Sequence, residues 1–444
     1  RAGRCMTVRV LFACWPFEGH VFPQLSIALE LRRRGHEVAF YTGPEQQATV
    51  QGQEIGVFQF QRVQHAWREV REAERAAGGR KRSMRVERDA FRRWLVETIP
   101  GQVSDLRKII DTWAPDVIVT DASMWGPSLI LRESVPIPVA LASPLIGALI
   151  PGPDAPPPGS GLAPARDARG RAIAAVVTRV TDLAARGLRA RLDELRAGYG
   201  LGPMGCGVNE FMGRLPLYLA LTVPELDHNR WDLPDSVHYV GACLWHPPQA
   251  TDESSWLDSL PADRPWVHVT DGTSHFQDPF VLRAAVDGLG GRDVEVIITH
   301  GRDRGAQELA LGTPATNVHV TRWVSHEQLL PRCAALVTTG GAGSTMAGLR
   351  AGIPLVVVPT TWDKPDNARR VAEAGAGVIL SPRRCSPQGL RAAVEQVLYD
   401  PAYRAAAQEC ARKLGLAPGP AGAADLITQL APDRTDRIKV PAAQ

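Results

Sequence analysis

The stretch from Trp323 to Val371 constrains the fold of this chain more than any other. Within it, the apolar run Ala335 to Thr338 is followed closely by Gly340-Gly341-Ala342-Gly343 and then by Ser344. Serine is a good N-cap, so we expect a helix to begin there and to continue to about Arg350. The order predicts a buried strand, a tight glycine turn and a helix.

The glycine-rich turn is a candidate phosphate site. Glycines let the backbone approach a ligand closely, and the free N–H groups of the next helix favour an anion. The same motif also occurs where it only lets a helix pack against its strand. Here Gly352 ends the helix, and Leu355 to Val358 forms a second buried strand. The loop after it carries Asp363, Lys364 and Asn367 ahead of another helix, which favours a ligand site.

The N-terminal end of the chain shows a similar pattern. Val8 to Cys14 predicts a buried strand, a helix follows from about Pro23 to Arg34, and His36 to Thr42 predicts the next strand. His20 lies in the turn after the first strand, where open parallel sheets bind ligands. An imidazole there suits a general base near neutral pH, although a histidine near a helix start is also a common surface or capping residue.

Asp121 is the candidate for a carboxylate that orients His20. It ends the apolar run Asp116 to Thr120 and so lies at the carboxyl edge of the same predicted sheet. Such a carboxylate would hold the tautomer of the imidazole and support its protonated form. The alternative is that Asp121 only caps a helix near Trp125 to Glu133.

Strand and helix alternation starts afresh in the second half of the chain, which predicts two domains. Trp266 to Thr270 is its first strand, and the turn Asp271-Gly272-Thr273-Ser274 follows. Leu215 to Leu221 is the last strand predicted before it. We place an N-terminal domain at residues 1–242, a linker at 243–256, a C-terminal domain at 257–415, and a last helix with a tail at 416–444.

The composition of the chain argues against several classes of function. The 444 residues carry 50 Lys and Arg against 47 Asp and Glu, and a net charge of +3 gives no strong attraction to nucleic acid or a membrane. The 7 cysteines show no C-x-x-C pair or metal-ligand spacing, and a D-x-D triplet is absent, so no metal site is predicted. We expect a cytoplasmic protein with free thiols and no membrane span, as a monomer or homodimer.

The order W, G-G-x-G-[ST], G-x-P, P and D-x-x-x-N-A-x-x-V within Trp323 to Val371 resembles the nucleotide-sugar-binding block of the family 1 GT-B glycosyltransferases. It is most similar to the bacterial enzymes that decorate natural products. His20, in G-H-x-x-P, matches that family's catalytic histidine, and Asp121 matches its orienting aspartate. The resemblance implies an α/β fold of two Rossmann-like parallel-sheet domains facing across a cleft, with the last helix crossing back to the N-terminal domain.

The resemblance also implies how a sugar nucleotide is held. Residues matched by Trp323 stack on the nucleobase, and those matched by Gly341 to Thr345 hold the diphosphate. Residues matched by Asp363 and Lys364 contact the sugar. The predicted donor-binding residues are Thr270, Gly272, Thr273, Trp323, Val324, Thr339, Gly340, Gly341, Gly343, Ser344, Thr345, Asp363 and Lys364.

Three positions depart from the family pattern. Thr339 stands where a histidine is usual, so no positive charge is available, but a hydroxyl can still donate one hydrogen bond to a phosphate. Ala347 stands where many members have a glutamate that grips the ribose hydroxyls. Its absence fits a 2′-deoxyribose and hence a dTDP-sugar, although a degenerate site would look the same. Lys364 replaces a common glutamine, and its ammonium could pair with the diphosphate or an anionic sugar, or face solvent.

Other segments bear on the acceptor. Aromatic residues can line an apolar acceptor cleft or form the core, and the candidates are Trp15, Phe17, Phe22, Trp94 and Trp125. His65 to Trp94 carries ten Lys and Arg residues, which fits a solvated helix pair or recognition of an acidic acceptor or carrier. Residues 151–171 are too rich in Pro and Gly for regular structure, so we expect either a lid or a disordered loop.

Together these features predict an inverting, metal-independent glycosyltransferase with no resident cofactor. It would move a sugar, from dTDP in preference to UDP, to a hydroxyl of a hydrophobic aglycone. The alternative, motivated by Thr339, Ala347 and Lys364, is a non-catalytic relative that binds sugar nucleotides or activates a partner. A GT-B-like epimerase is disfavoured, because G-H-x-x-P and the aromatic residues suit a separate acceptor.

Overall fold

A computed structural model describes residues 7–63, 89–228, 230–247, 255–272, 278–301 and 309–432. These residues form two parallel sheets joined by helices. The strands of the first sheet are β1 (Arg9–Ala13), β2 (Glu37–Thr42), β3 (Gly56–Gln59), β4 (Val117–Thr120), β5 (Val139–Ser143), β6 (Leu217–Ala220) and β7 (Val237–Tyr239). Those of the second are β8 (Trp266–Thr270), β9 (Glu295–Thr299), β10 (Val318–Thr321), β11 (Cys333–Thr338), β12 (Leu355–Val357) and β13 (Gly377–Ile379).

The helices connect and cover these strands. They are α1 (Glu18–Arg33), α2 (Gln47–Gln51), α3 (Ile99–Trp113), α4 (Arg132–Ser134), α5 (Ala168–Ala184), α6 (Arg186–Ala197), α7 (Val208–Met212), α8 (Phe280–Leu289), α9 (His326–Leu329), α10 (Ala342–Arg350), α11 (Lys364–Glu373), α12 (Pro387–Tyr399), α13 (Pro401–Leu416) and α14 (Gly419–Gln429). Short π-helical turns lie at Arg92–Val96 and Pro127–Leu131.

Both sheets share one topological feature. The order of the first is β3-β2-β1-β4-β5-β6-β7 and that of the second is β10-β9-β8-β11-β12-β13, with parallel pairing throughout. The strand order therefore reverses between β1 and β4 and again between β8 and β11. Crevices that bind ligands open at the carboxyl ends of strands at such switch points. The predicted α/β fold with two Rossmann-like sheets is confirmed.

A hydrophobic core lies on each face of each sheet, and the last helix completes one of these cores. Ala423, Ala424 and Ile427 of α14 are fully buried in the same cluster as Val10 and Phe12 of β1. The chain thus leaves the second sheet after α13, and α14 packs against the first sheet. Burying these side chains on the first sheet ties the two halves together through apolar contact.

Two helix starts differ from the sequence predictions. α1 begins at Glu18, so Pro23 lies inside it and His20 is in its first turn rather than in the preceding loop. α10 begins at Ala342, and the prediction that Ser344 caps it is wrong. The Ser344 hydroxyl instead lies 2.8 Å from the Thr338 hydroxyl and donates to the Gly341 carbonyl at 3.2 Å, so it fastens the helix to β11.

Two other boundaries also differ. β7 follows β6 in the first sheet, so the strand at Leu217–Ala220 is not the last one of that sheet. The pattern from Ile173 to about Tyr199 predicts one helix, but the structure divides this stretch at Ala185 into α5 and α6. Short strands such as β7, with 3 residues, carry little apolar periodicity by which sequence could reveal them.

A buried ion pair joins the two halves. Arg370 of α11 donates to Asp227 Oδ1 at 3.0 Å, and the two side chains are only 8% and 1% exposed. Asp227 Oδ2 accepts from the Tyr239 hydroxyl and from the Ala148 N–H, each at 2.7 Å. Burial, and then the Asp227 charge, raise the pKa of Tyr239 well above its usual value, so this phenol stays a donor.

The Pro- and Gly-rich segment before α5 is held against the second half of the chain. Asp366 of α11 accepts from the backbone N–H groups of Gly159 and Gly161, at 2.6 and 2.8 Å. Arg369 donates to the Gly161 carbonyl at 3.1 Å. The expected disorder is therefore not found at residues 159–161, and the expected lid stays a prediction.

We predict that Arg370→Met lowers the thermal unfolding midpoint markedly, because it leaves the Asp227 carboxylate buried without its cation. Removing one partner of a buried pair typically costs about 3–5 kcal/mol. Arg412→Met, which breaks the exposed pair with Glu409, is the control and should leave the midpoint nearly unchanged. Differential scanning calorimetry measures both, and equal shifts for the two variants would contradict the prediction.

Candidate functional site

A cleft of about 270 Å³ lies between the two sheets, and both crevices open into it. Thirteen of the predicted site residues line it: Phe17, His20, Phe22 and Trp94 from the first half, and Thr270, Gly272, Trp323, Val324, Gly341, Gly343, Ser344, Asp363 and Lys364 from the second. The two parallel-sheet halves therefore face each other across one cavity, and residues distant in sequence share it.

His20 and Asp121 meet at the switch point of the first sheet. β1 and β4 are neighbours, with Ala13 opposite Thr120, so the residues that follow these strands lie side by side. His20 Nδ1 is 3.2 Å from Asp121 Oδ2. The imidazole is 26% exposed at the cleft wall, whereas the carboxylate behind it is fully buried.

The surroundings of Asp121 keep it ionised. Its Oδ1 accepts from the N–H and hydroxyl of Ser123, at 2.7 and 2.8 Å, and from the Met124 N–H at 2.9 Å; its Oδ2 accepts from the Trp15 N–H at 3.1 Å. Burial acts to raise the pKa of Asp121, but the His20 charge and the hydrogen bonds from His20 and Ser123 outweigh it, and the net pKa is lowered. Asp121 therefore both caps the following turn and orients His20.

This arrangement determines which nitrogen of His20 faces the cleft. A neutral imidazole carries one proton, and the ionised Asp121 is an acceptor for it at Nδ1. Nε2 then carries the lone pair at the cleft. The pair can take up a proton from a bound group and hold the resulting imidazolium against a fixed negative charge.

The glycine turn forms the opposite wall at the switch point of the second sheet. Gly340 has φ +89°, and a Cβ there would come within 2.9 Å of the Val357 side chain, so only glycine fits. At Gly343 a Cβ would meet nothing within 4 Å, which leaves open space for a ligand. The N–H groups of Ala342, Gly343 and Ser344 belong to the first turn of α10, where a helix has no acceptors of its own for them. This wall suits an anion.

The loop after β12 is joined to the glycine turn. Asn367 donates to Asp363 Oδ2 at 2.7 Å and to the Gly340 carbonyl at 2.9 Å. Burial raises the pKa of Asp363. Lys364 is one of the residues that line the cleft, and its ammonium donates to the Thr360 hydroxyl at 3.1 Å.

Two predicted acceptor residues lie in the core instead of the cleft. Trp15 is fully buried, and its Nε1 donates to the Ser123 carbonyl at 3.0 Å. Trp125 is 9% exposed, and its Nε1 donates to the Ala122 carbonyl at 3.1 Å. The prediction that they line the cleft is wrong, because an aromatic residue beside a strand end can face either the core or the cavity.

Some predicted donor residues have other positions. The Thr339 hydroxyl donates to the Asp271 carbonyl at 3.0 Å, so it joins the two turns and the expected hydrogen bond to a phosphate is not supported. Thr345 is fully buried, and its N–H donates to the Gly341 carbonyl at 3.0 Å within the helix. Gly340 shapes the turn without lining the cleft. Thr273 lies outside the described residues, as does most of the basic segment from His65 to Trp94.

Several residues that line the cleft were not among the predicted site residues. Trp362, next to the predicted Asp363, lines it with φ 67° and packs on Trp94 and Phe91 at ring distances of 5.3 and 4.6 Å. Thr299 ends β9 beside Thr270 and also lines it. The available signals were the neighbouring charged loop for Trp362 and the strand end for Thr299.

The described part of the chain holds neither a metal-ion cluster nor a membrane-spanning helix. No three His, Cys, Asp or Glu side chains there are arranged to hold a metal ion. Within the same ranges, no helix has the length and apolar character needed to cross a membrane. The prediction of free thiols is confirmed for the cysteines in these ranges, which are Cys14, Cys206, Cys243, Cys333, Cys385 and Cys410.

Comparisons with known proteins agree with this architecture. Residues 283–430 match the model of the C-terminal domain of erythromycin biosynthesis protein CIII-like proteins. The 4'-demethylrebeccamycin synthase of Lentzea aerocolonigenes is 34% identical over 438 residues, which cover 96% of this chain and 100% of that protein. Since the likeness at this identity spans nearly the whole chain, the protein belongs to the GT-B glycosyltransferases of family 1 that tailor bacterial natural products.

Solved structures show the same fold. The calicheamicin glycosyltransferase CalG4 superposes with a TM-score of 0.73 at 20% identity, over 96% of this chain and 98% of that one. The spinosyn rhamnosyltransferase SpnG complexed with thymidine diphosphate superposes with a TM-score of 0.65 at 21% identity, over 94% and 98%. These structures confirm the predicted fold, whereas the family, and with it the glycosyltransferase class, is shown by the relative from Lentzea aerocolonigenes.

Gly340→Ala and Gly343→Ala should behave differently. Gly340→Ala forces a strained φ and a close contact with Val357, so we expect a lower unfolding midpoint and weaker nucleotide binding. Gly343→Ala has space for its Cβ but fills the open side of the turn, so the midpoint should hold while nucleotide binding weakens. Thermal unfolding and calorimetric titration with dTDP measure the two effects. Unimpaired binding by the Gly343→Ala protein would remove the turn from the nucleotide site.

Proposed function

We propose that the protein is an inverting glycosyltransferase that uses no metal ion and transfers a sugar from a nucleoside diphosphate to a hydroxyl of a hydrophobic natural-product acceptor. One observation carries this proposal. An imidazole backed by a buried, ionised carboxylate faces an amide-lined glycine turn across a single cleft. A base and an anion site on opposite walls are what displacement of a diphosphate by a hydroxyl requires.

In the proposed reaction, His20 Nε2 removes the acceptor proton as the hydroxyl oxygen attacks the anomeric carbon. The bond from that carbon to the diphosphate oxygen breaks, and attack from the opposite side inverts the anomeric centre. Asp121 stabilises the imidazolium that forms. The amide groups of the glycine turn and the Lys364 ammonium stabilise the charge that develops on the departing diphosphate.

The donor would lie along the second half of the chain. We assign the nucleobase to Trp323 and Val324, and the diphosphate to the wall formed by Gly341, Gly343 and Ser344. Asp363 and Lys364 would contact the sugar. Further support comes from Thr270 and Gly272, which line the same wall. The C-terminal domain, residues 257–415, is accordingly proposed as the donor domain.

dTDP is the favoured nucleotide. Position 347 carries no carboxylate, and the Ala347 methyl is only 5% exposed among core side chains, so nothing at this position grips a ribose 2′-hydroxyl. The complex of the spinosyn rhamnosyltransferase with thymidine diphosphate supports the same choice. A deoxysugar attached to dTDP is therefore the proposed donor.

The acceptor would lie in the first half, residues 1–242, beside His20. Phe17 packs on the His20 ring at 5.5 Å and on Trp94 at 5.7 Å, and all of these side chains line the cleft. Phe22 lies on the same side and packs on Trp245 at 4.8 Å. Such aromatic walls favour an apolar acceptor and exclude water from the reacting hydroxyl.

His20→Ala should reduce turnover about 10²- to 10⁴-fold, the usual contribution of a general base, while dTDP affinity persists. Asp121→Asn should also reduce turnover, because an amide no longer stabilises the imidazolium. His238→Ala, on β7 and away from the cleft residues, is the control. Transfer is measured by chromatography with a dTDP-sugar and a panel of hydrophobic alcohols and phenols. Full activity of the His20→Ala protein would exclude the proposed mechanism.

Calorimetric titration should show dTDP binding more tightly than UDP, because the site lacks a carboxylate for the ribose. Equal affinity for both nucleotides in the original protein would contradict the assignment. Binding of dTDP without transfer or donor hydrolysis, over a broad acceptor panel, would favour a non-catalytic role instead.

A further inference from the structure

We propose that His268 is a positioning residue for donor binding, because it sets the direction of a hydrogen-bond chain that ends at the Thr270 hydroxyl in the cleft. This inference rests on the proposed function, since it takes the anion at the glycine turn to be a diphosphate. His268 would not touch that ligand. It would determine whether Thr270 presents a proton or a lone pair to it.

The chain of hydrogen bonds runs between two neighbouring strands. The register of β8 and β9 places Thr270 beside Thr299, and the Thr299 hydroxyl donates to Thr270 Oγ1 at 3.0 Å. His268 Nε2 lies 3.0 Å from Thr299 Oγ1. The exposed fractions of His268, Thr299 and Thr270 are 0%, 6% and 5%, so water competes little for these groups. Thr270 and Thr299 line the cleft, and His268 lies behind them.

Counting protons shows what is left for a ligand. A hydroxyl has one proton to donate and two lone pairs that accept. Thr270 Oγ1 accepts from Thr299 and also from the Gly272 N–H at 3.1 Å, which uses both of its lone pairs. Its own proton is then directed away from both partners. With Thr270 at the end of β8, next to β11 and its glycine turn, that proton is available to an oxygen of the bound anion.

The tautomer of His268 maintains this direction. Burial, and then the nearby His326, lower the pKa of His268 well below its ordinary value, so the ring is neutral and carries one proton. Nδ1 is buried and has no hydrogen-bond partner in the described part of the chain. A proton on Nδ1 would leave a buried donor unsatisfied, whereas a proton on Nε2 is donated to Thr299.

The opposite tautomer would reverse the chain. Thr299 would have to donate to His268, and Thr270 would then donate to Thr299. Thr270 would turn a lone pair towards an anion, which is repulsive. The observed direction instead makes the Thr270 hydroxyl a donor towards the anion, as the amides of the glycine turn are.

Binding measurements with two ligands test this proposal. Calorimetry with dTDP reports the diphosphate contact, and thymidine, which lacks phosphates, reports only the nucleoside contacts. Thr270→Val should weaken dTDP about 10-fold or more, the usual effect of losing a hydrogen bond to a charged group, whereas Thr270→Ser should bind nearly normally. Neither variant should change thymidine affinity.

Variants of His268 test the relay, by which we mean the chain of hydrogen bonds from His268 through Thr299 to Thr270. His268→Leu should weaken dTDP roughly 3- to 10-fold, as expected for an indirect effect on one hydrogen bond. His268→Gln, whose side-chain N–H can donate to Thr299, should restore most of the affinity. In the Thr270→Val background, His268→Leu should cause no further loss, because the hydroxyl it directs is gone. Thr299→Val should resemble His268→Leu, and Thr299→Ser should resemble the original protein, which keeps the test valid if a His268 variant does not fold.

The outcomes separate this inference from the proposed function. Equal weakening of dTDP and thymidine by His268→Leu, or losses that add in full to those of Thr270→Val, would overturn the relay and show a structural role only. If the unmodified protein binds neither dTDP nor UDP, the proposed function fails and the relay fails with it. If it binds dTDP but shows no coupling between His268 and Thr270, the relay alone fails.

Discussion

In an open parallel sheet, the strand order can run in opposite directions from one central strand. The connections on its two sides then lie on opposite faces of the sheet, so a crevice stays open at the carboxyl ends of the two central strands. This constraint applies twice in the present chain, once beside β1 and once beside β8. Each crevice receives the residues that follow its two central strands. His20 and Asp121 come from the first, and the turns after Thr270 and Thr338 come from the second. The chemistry of the protein depends on these two crevices opening towards each other.

Contacts between the halves maintain that orientation. α14 adds apolar surface to the core of the first sheet, and the buried pair of Arg370 and Asp227 crosses from α11 to the other half. Asp366 holds the backbone of residues 159–161. α11 also begins at Lys364, which lines the cleft, so the helix that joins the halves carries part of the site at its first turn. The proposed donor contact of Lys364 and the attachment of the halves therefore depend on the same helix.

Buried polar groups behind the cleft determine the orientation and protonation of the groups that line it. Asp121 is fully buried and shows no surface to a ligand, yet it sets the proton position on His20. Thr339 lacks the charge of the usual histidine and joins the Asp271 turn to the glycine turn instead. These roles follow from low solvent access. A buried donor or acceptor must have a hydrogen-bond partner within the protein, and this need fixes how the partner is oriented.

The predictions made from sequence succeeded where a local pattern is sufficient. An apolar run marked β8 with its observed limits, and the ordered motif from Trp323 to Val371 indicated the family. They failed where the position of a side chain depends on contacts with residues that are distant in the sequence. Trp15 and Phe17 are two positions apart, yet one is in the core and the other lines the cleft. The same limit kept Trp362 out of the predicted site.

The sequence by itself determined the alternation of strands and helices, the conformation that only glycine allows at Gly340, and the presence of a histidine and an aspartate after two strands. Tertiary structure alone decided that His20 and Asp121 lie 3.2 Å apart, that Thr345 faces the core, and that Thr270, Thr299 and His268 form one chain of hydrogen bonds. The physical reason is that periodicity and backbone preference act within a few residues. Strand register and the packing of the two halves bring together groups that are tens to hundreds of residues apart.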